Sequence, residues 1–196
     1  MGQQQTLTGK TVAILATNGV EEVELVQPRS AVEDAGATTK IVSLQPGEIQ
    51  AMNHDVEKGD TFRVDSVVAD CTPADFDALI LPGGTTNPDK LRQDKNAVRF
   101  VKDFFATGKP VGVICHGPWT MVEADVVRGR TLTSYPSLRT DIRNAGGDVV
   151  DQEVVTDNGL VSSRSPDDLP AFCSKIVEEF AEGKHRVQAQ GATAGS

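Results

Sequence analysis

Three short apolar runs constrain this chain more than any other feature: residues 11–16 (TVAILA), 77–81 (DALIL) and 111–115 (VGVIC). Each is too short for a helix and lacks the apolar/polar alternation of a half-exposed strand. Such runs read as strands buried on both faces. Each leads into a turn signal: Asn18-Gly19, Pro82-Gly83-Gly84 and Gly117-Pro118. Between the first run and a strand at 39–44, residues 21–35 place Val23, Leu25, Val26, Ala31, Val32 and Ala35 on a helix face ended by Gly36. Pro28 must sit near that helix's first turns or kink it. Strand, helix and strand make one βαβ unit, and the pattern repeats through a helix at 98–105 and another running from the 111–115 strand to Ala124. An open, mostly parallel sheet covered on both faces follows from it.

The remaining segments are less regular. Residues 45–60, with Pro46, Gly47, Gly59 and His54, read as a surface loop leading to a strand marked by Phe62, Val64 and Val67. A short strand at 131–135, a helix at 138–145, a hairpin at 149–163 around Asn158-Gly159 and a closing helix at 166–182 complete the expected order. The domain is expected over 10–183, with a flexible start at 1–9 and a flexible, small-residue tail at 184–196.

Composition narrows the partners. Nineteen Lys and Arg against 28 Asp and Glu give a net charge of −9, which disfavours nucleic acid and anionic membranes. No run approaches a membrane helix, and the opening MGQQQTLTGK lacks the apolar core of a signal peptide, so the expected location is the cytoplasm. Cys71, Cys115 and Cys173 are too few and too widely spaced for a disulfide framework and are expected reduced. No Cys/His cluster suggests a metal site, and neither a G-x-G-x-x-G after the first strand nor a Walker motif suggests an organic cofactor.

In a parallel sheet, ligands bind beyond the carboxyl ends of the strands. Residues 18–22, Gly83-Gly84 and Cys115-His116 all fall there. A cysteine where a buried strand turns into a helix has its sulfur above the sheet, near free N–H groups that favour thiolate. Cys115 is the candidate nucleophile. The N–H of His116 and the Gly83-Gly84 backbone, with Gly84 open to close approach, could cradle an oxyanion. His116 is a candidate base, although neighbouring side chains in an extended chain point to opposite sides, so a direct bond to Cys115 needs an unusual turn. Glu21 is an alternative acid/base group; Glu22 and Glu24 are equally acidic and read as solvated, and spacing alone does not separate the three. His54 and His185 read as loop and tail histidines, and Cys71 and Cys173 as structural or incidental.

These residues also carry a family resemblance. Leu81-Pro-Gly-Gly84, the elbow at 113–119 (VICHGPW), residues 128–136 (RGRTLTSYP), Asn144-Ala-Gly-Gly147 and residues 162–170 (SSRSPDDLP) resemble, in order, the ThiJ/PfpI family and its PfpI-type intracellular protease branch. The resemblance implies a flavodoxin-like three-layer α/β sandwich of the class I glutamine-amidotransferase type, with Cys115 as the elbow nucleophile. It also implies a glutamate after the first strand, hydrogen-bonded to that cysteine, and alignment on the motif selects Glu21. A third acidic residue comes from a neighbouring subunit in that branch, at a position where this sequence has Asp89 instead of glutamate. A homodimer or higher homo-oligomer is implied with it. The downstream His-x-Glu pair of glutaminases is missing, since His185 is followed by Arg186 and Val187. The implied activities are conversion of reactive dicarbonyls such as methylglyoxal, removal of early glycation adducts, and peptide hydrolysis, all in stress defence. A redox sensor or chaperone built on the same thiol is the non-enzymatic alternative.

Overall fold

The computed structural model describes residues 6–185. Its first half runs β1 (Thr11–Leu15), β2 (Val20–Glu21), α1 (Glu22–Asp34), β3 (Thr38–Ser43), β4 (Glu48–Asn53), β5 (Glu57–Arg63), β6 (Ser66–Val67) and β7 (Ala78–Leu81). Next come α2 (Thr86–Gln93), α3 (Lys95–Ala106), β8 (Val111–Ile114), α4 (Pro118–Glu123), β9 (Thr131–Leu132) and α5 (Arg139–Asn144). The chain then forms β10 (Asp148–Val149), β11 (Val155–Asp157), β12 (Leu160–Ser163) and α6 (Leu169–Glu182). Seven strands form the central sheet in the order β11-β12-β8-β7-β1-β3-β6, parallel except for the β11–β12 hairpin.

The uninterrupted apolar runs become the middle of this sheet because both faces are covered. Val12 and Ile14 of β1 join Leu25 and Val32 of α1 and Phe172, Ile176 and Phe180 of α6 in one core. Ala13 and Leu15, on the opposite face, join Phe100 and Phe104 of α3, Met121 of α4 and Ile142 of α5 in the other. Alternate residues of one strand thus feed two cores, as the pleat requires. The three-layer α/β sandwich with a mostly parallel sheet is the architecture expected from the sequence.

β1 lies between β3 and β7, so the chain crosses to one side after β1 and later returns to the other. This is the switch point at which open α/β sheets form a crevice. The ends of β1, β7 and β8, three consecutive strands in the sheet, all open at that rim.

Several expectations need correction. Residues 45–60 are not a loop: β4 and β5 pair antiparallel as a hairpin, and β4 also pairs with β2. The extended stretch drawn from Phe62 to Val67 is split between β5 and β6. Helix α2, after the glycine pair, had no sequence signal. Pro28 lies in the second turn of α1, near its start as expected, and the helix continues past it. At the start, Leu7 is fully buried and its N–H donates to the Ala35 carbonyl, so the packed part begins before Lys10. At the other end the His185 N–H donates to the Gly108 carbonyl. The rest of the expected flexible termini, 1–5 and 186–196, lies outside the described residues. Among the described residues, no helix is long and apolar enough to cross a membrane.

Candidate active site

The site is assembled where β1, β7 and β8 end. β8 stops at Ile114, and Cys115 takes φ = 61°, the left-handed region that a side chain enters only at a cost of about 1–3 kcal/mol. Its backbone is held from both sides: its N–H donates to the Ser163 carbonyl and its carbonyl accepts from Tyr135 N–H. That forced turn is the unusual geometry a Cys115–His116 contact demanded. Cys115 Sγ lies 3.1 Å from His116 Nδ1. The backbone N–H groups of His116 and Gly84, both expected as oxyanion donors, act on the same sulfur by favouring its charged form. Only 6% of Cys115 is exposed.

The carboxyl beside the sulfur belongs to Glu24, not Glu21. Glu24 sits in the first turn of α1 on its buried face, with Leu25, Pro28 and Val32. Its Oε2 accepts from Gly83 N–H at 2.7 Å. A methyl group at Gly83 would stand 2.5 Å from that oxygen and 2.7 Å from Cys115 Cβ, so Gly83 is the notch in which carboxyl and thiol meet. Gly84 is as constrained: its φ is 78°, and a Cβ there would strike the Gly19 carbonyl oxygen at 2.4 Å. Glu21 is buried at the end of β2, where its Oε1 accepts from His54 N–H at 3.1 Å. It holds the tip of the β4–β5 hairpin. Asp55, next in that tip, accepts from Thr85 N–H at 2.8 Å.

The electrostatics follow from burial. Desolvation pushes the Glu24 carboxyl up to about 8, against the opposing Gly83 hydrogen bond, with the Glu21 and Asp55 charges adding to the rise. Glu24 is therefore mostly protonated at neutral pH, and its Oε1 is buried with no hydrogen-bond partner among the described residues. Burial also pushes the Cys115 thiol above its ordinary value, with Glu24's negative charge the next cause. The expectation that the helix start alone would favour thiolate is thus corrected: desolvation outweighs it. Protonating Glu24 removes the second of those penalties. His116 is held below its ordinary value by burial, against the pull of Asp55, so its imidazole is neutral and free to accept a proton. Its ring stacks on Tyr135 with centroids 4.4 Å apart, and its Nε2 lies 3.3 Å from Ser137 Oγ.

Asp89 is exposed on α2, where it accepts from Gln93 and borders a shallow groove lined by Arg92, Lys95, Arg99 and Lys102. Within one chain it belongs to that surface and not to the Cys115 cluster. His54 enters the site through its backbone only. Asp55, Tyr135 and Ser137 are site residues that sequence reasoning missed; Glu24 is among its three candidate glutamates, but the motif alignment selects Glu21.

Comparison with known proteins matches the DJ-1/PfpI family over residues 10–179. The chain belongs to the DJ-1/PfpI family. It is 44% identical over 165 residues to protein/nucleic acid deglycase 2 of Escherichia coli, covering 83% of this chain and 93% of that one. It is 39% identical over 163 residues to a Bacillus subtilis protein named as a candidate cysteine protease, YraA, covering 83% and 94% of the two chains. A solved two-domain protein from Anabaena variabilis, with DJ-1/ThiJ/PfpI-like and ferritin-like domains, superposes with a TM-score of 0.82 at 31% identity. That match covers 93% of this chain and 52% of the other, so this chain spans about half of the two-domain protein. Deglycase and protease activities are therefore the ones named among its relatives in the DJ-1/PfpI family.

Proposed function

We propose that the chain is a cysteine-dependent enzyme acting on reactive dicarbonyls, or on the early adducts they form with protein amines. The observation that carries this reading is the buried carboxyl of Glu24 set against Cys115 through the Gly83 notch. In this reading His116 Nδ1 takes the thiol proton, and Sγ adds to the aldehyde carbon of methylglyoxal to give a hemithioacetal. The N–H groups of His116 and Gly84 hold its oxygen. Glu24, protonated at the start, gives its proton to the ketone oxygen; the carboxylate so formed takes the proton of the former aldehyde carbon and returns it to the neighbouring carbon, leaving a lactoyl thioester that water hydrolyses to lactate and free thiol. With a carbinolamine adduct as substrate, Sγ instead displaces the protein amine, which leaves with the proton held on His116, and the same hemithioacetal results. A narrowly exposed sulfur suits such small electrophiles.

The test is lactate formation from methylglyoxal, and amine release from a methylglyoxal-treated lysine derivative, in thiol-free buffer. Cys115→Ser is expected to abolish both, and Glu24→Gln to slow them by about 100-fold or more. A larger loss in Glu21→Gln than in Glu24→Gln would return the role to Glu21. Asp89, acting from a neighbouring subunit, completes this reading; unchanged turnover and pH profile in Asp89→Asn would remove it.

The Cys115–His116 contact supports a second reading, peptide hydrolysis, in which the same imidazole protonates the leaving amine. Cys115-dependent cleavage of fluorogenic peptides without turnover of aldehydes would select it. Peroxide-dependent mass gain at Cys115 with neither turnover would select the sensor.

A further inference from the structure

The opposite end of the sheet holds a second cluster of reactive side chains. Glu179 and Glu182, one turn apart at the end of α6, face His185, which follows the Gly183 break. Their ligating atoms all lie within 4.8 Å of one another. His185 Nε2 is 3.2 Å from Glu179 Oε2 and 4.0 Å from Glu182 Oε2. Glu179 is 6% exposed, and both its Oε2 and His185 Nε2 are buried with no hydrogen-bond partner among the described residues.

That last fact separates this cluster from an ordinary ion pair. A histidine and a glutamate closing a helix end would direct Nε2–H at the carboxylate oxygen. Here the two atoms approach to pair distance but the hydrogen bond is not made. Two buried polar atoms left unsatisfied side by side would be costly. An ion accepting both lone pairs from one side removes that cost. Ligands about 2.0–2.1 Å from a zinc ion stand about 3–3.5 Å apart, which the closer pair already meets. Glu182, at the surface, can close the remaining distance by a side-chain rotation, and water can fill further positions.

We propose that Glu179, Glu182 and His185 form a binding site for a divalent transition-metal ion of the zinc type. An imidazole with two carboxylates suits such an ion better than magnesium or calcium, which take oxygen ligands. The two carboxylates balance its charge. The site would be structural: the His185 N–H is already bonded to the Gly108 carbonyl before β8, and its ring lies against Gly159 in the β11–β12 turn, where an added Cβ would be 2.7 Å from Cδ2. A bound ion would tie the end of α6 to both turns. His185, read from the sequence as a tail histidine, becomes a ligand.

The test uses chelator-stripped full-length protein titrated with Zn²⁺, in wild type and in Cys115→Ser, because the active-site thiol is a competing ligand. The expected result is one equivalent bound in Cys115→Ser, with a raised melting temperature. His185→Gln in that background, folded by circular dichroism, should bind at least about tenfold more weakly. Co²⁺ in place of Zn²⁺ should give visible bands without thiolate charge transfer. Glu179→Gln is the second ligand variant; should it fail to fold, Glu182→Gln at the exposed ligand replaces it, with the same weakening expected. No saturable uptake in Cys115→Ser, affinity unchanged by His185→Gln, or a cobalt spectrum dominated by sulfur would each overturn the proposal.

Discussion

At the scale of single residues, one proton governs much of the behaviour. Glu24 titrates near 4.5 when exposed and at about 8 in the folded chain, because burial disfavours its charge. Between those values the unfolded chain has lost this proton and the folded chain keeps it, so stability falls as pH rises from about 4.5 through about 8. The loss is on the order of a few kcal/mol. Glu24→Gln cannot ionise and still accepts from Gly83 N–H; calorimetric melting across this pH range should show a flatter profile, with the variant gaining on the wild type at the alkaline end. Gly83→Ala tests the notch directly. Its methyl group would meet Glu24 Oε2 and Cys115 Cβ, so the carboxyl and thiol must part, and turnover should drop by about tenfold or more while far-UV circular dichroism stays native. Glu24 was harder to read than Cys115 for a definite reason. Cys115 is announced by a buried strand and a glycine-proline turn, whereas three glutamates crowd the start of α1 and motif alignment pointed to Glu21. The helix period held the answer: Leu25, Pro28 and Val32 mark the buried face, and Glu24 shares it while Glu22 does not.

At the scale of elements, close approach of helix to sheet sets the tolerances. Gly112 in β8 faces α6, and a Cβ there would lie 2.7 Å from Ile176 Cγ2 and 3.1 Å from Phe172 Cζ. Gly112→Ala should cost about 1–3 kcal/mol in urea unfolding, since a packed core resists added volume. No change in midpoint would mean that α6 yields more readily than its burial implies. The buried strands β1, β7 and β8 were legible because continuous apolar runs have few alternatives. The β4–β5 hairpin was not, because β5 (EKGDTFR) is largely exposed and its charged residues carry no apolar alternation. Its pairing is instead held by backbone bonds and by Glu21 and Asp55, contacts that join residues distant in sequence. Likewise α2 (TNPDKLRQ) buries mainly Asn87, Pro88 and Leu91, too short a stripe to give a helical period.

At the scale of the whole molecule, the two cores share every central strand, so neither can melt alone. Trp119 of α4, whose indole N–H donates to Asp141 of α5, reports on one face, and far-UV circular dichroism reports on all elements. Thermal melts followed by tryptophan fluorescence and by far-UV dichroism should coincide; separated midpoints would mean that the layers unfold independently. The order of the strands has a further consequence, for the newly made chain. Glu24, Gly83 and Cys115 belong to three separate stretches of sequence and meet only when β1, β7 and β8 have aligned. Until that alignment is reached, Cys115 is an ordinary solvent-exposed thiol, open to oxidants and alkylating aldehydes and unprotected by any neighbour. Folding therefore does two things to this sulfur at once: it closes off indiscriminate damage and creates the one setting in which its reactivity is directed.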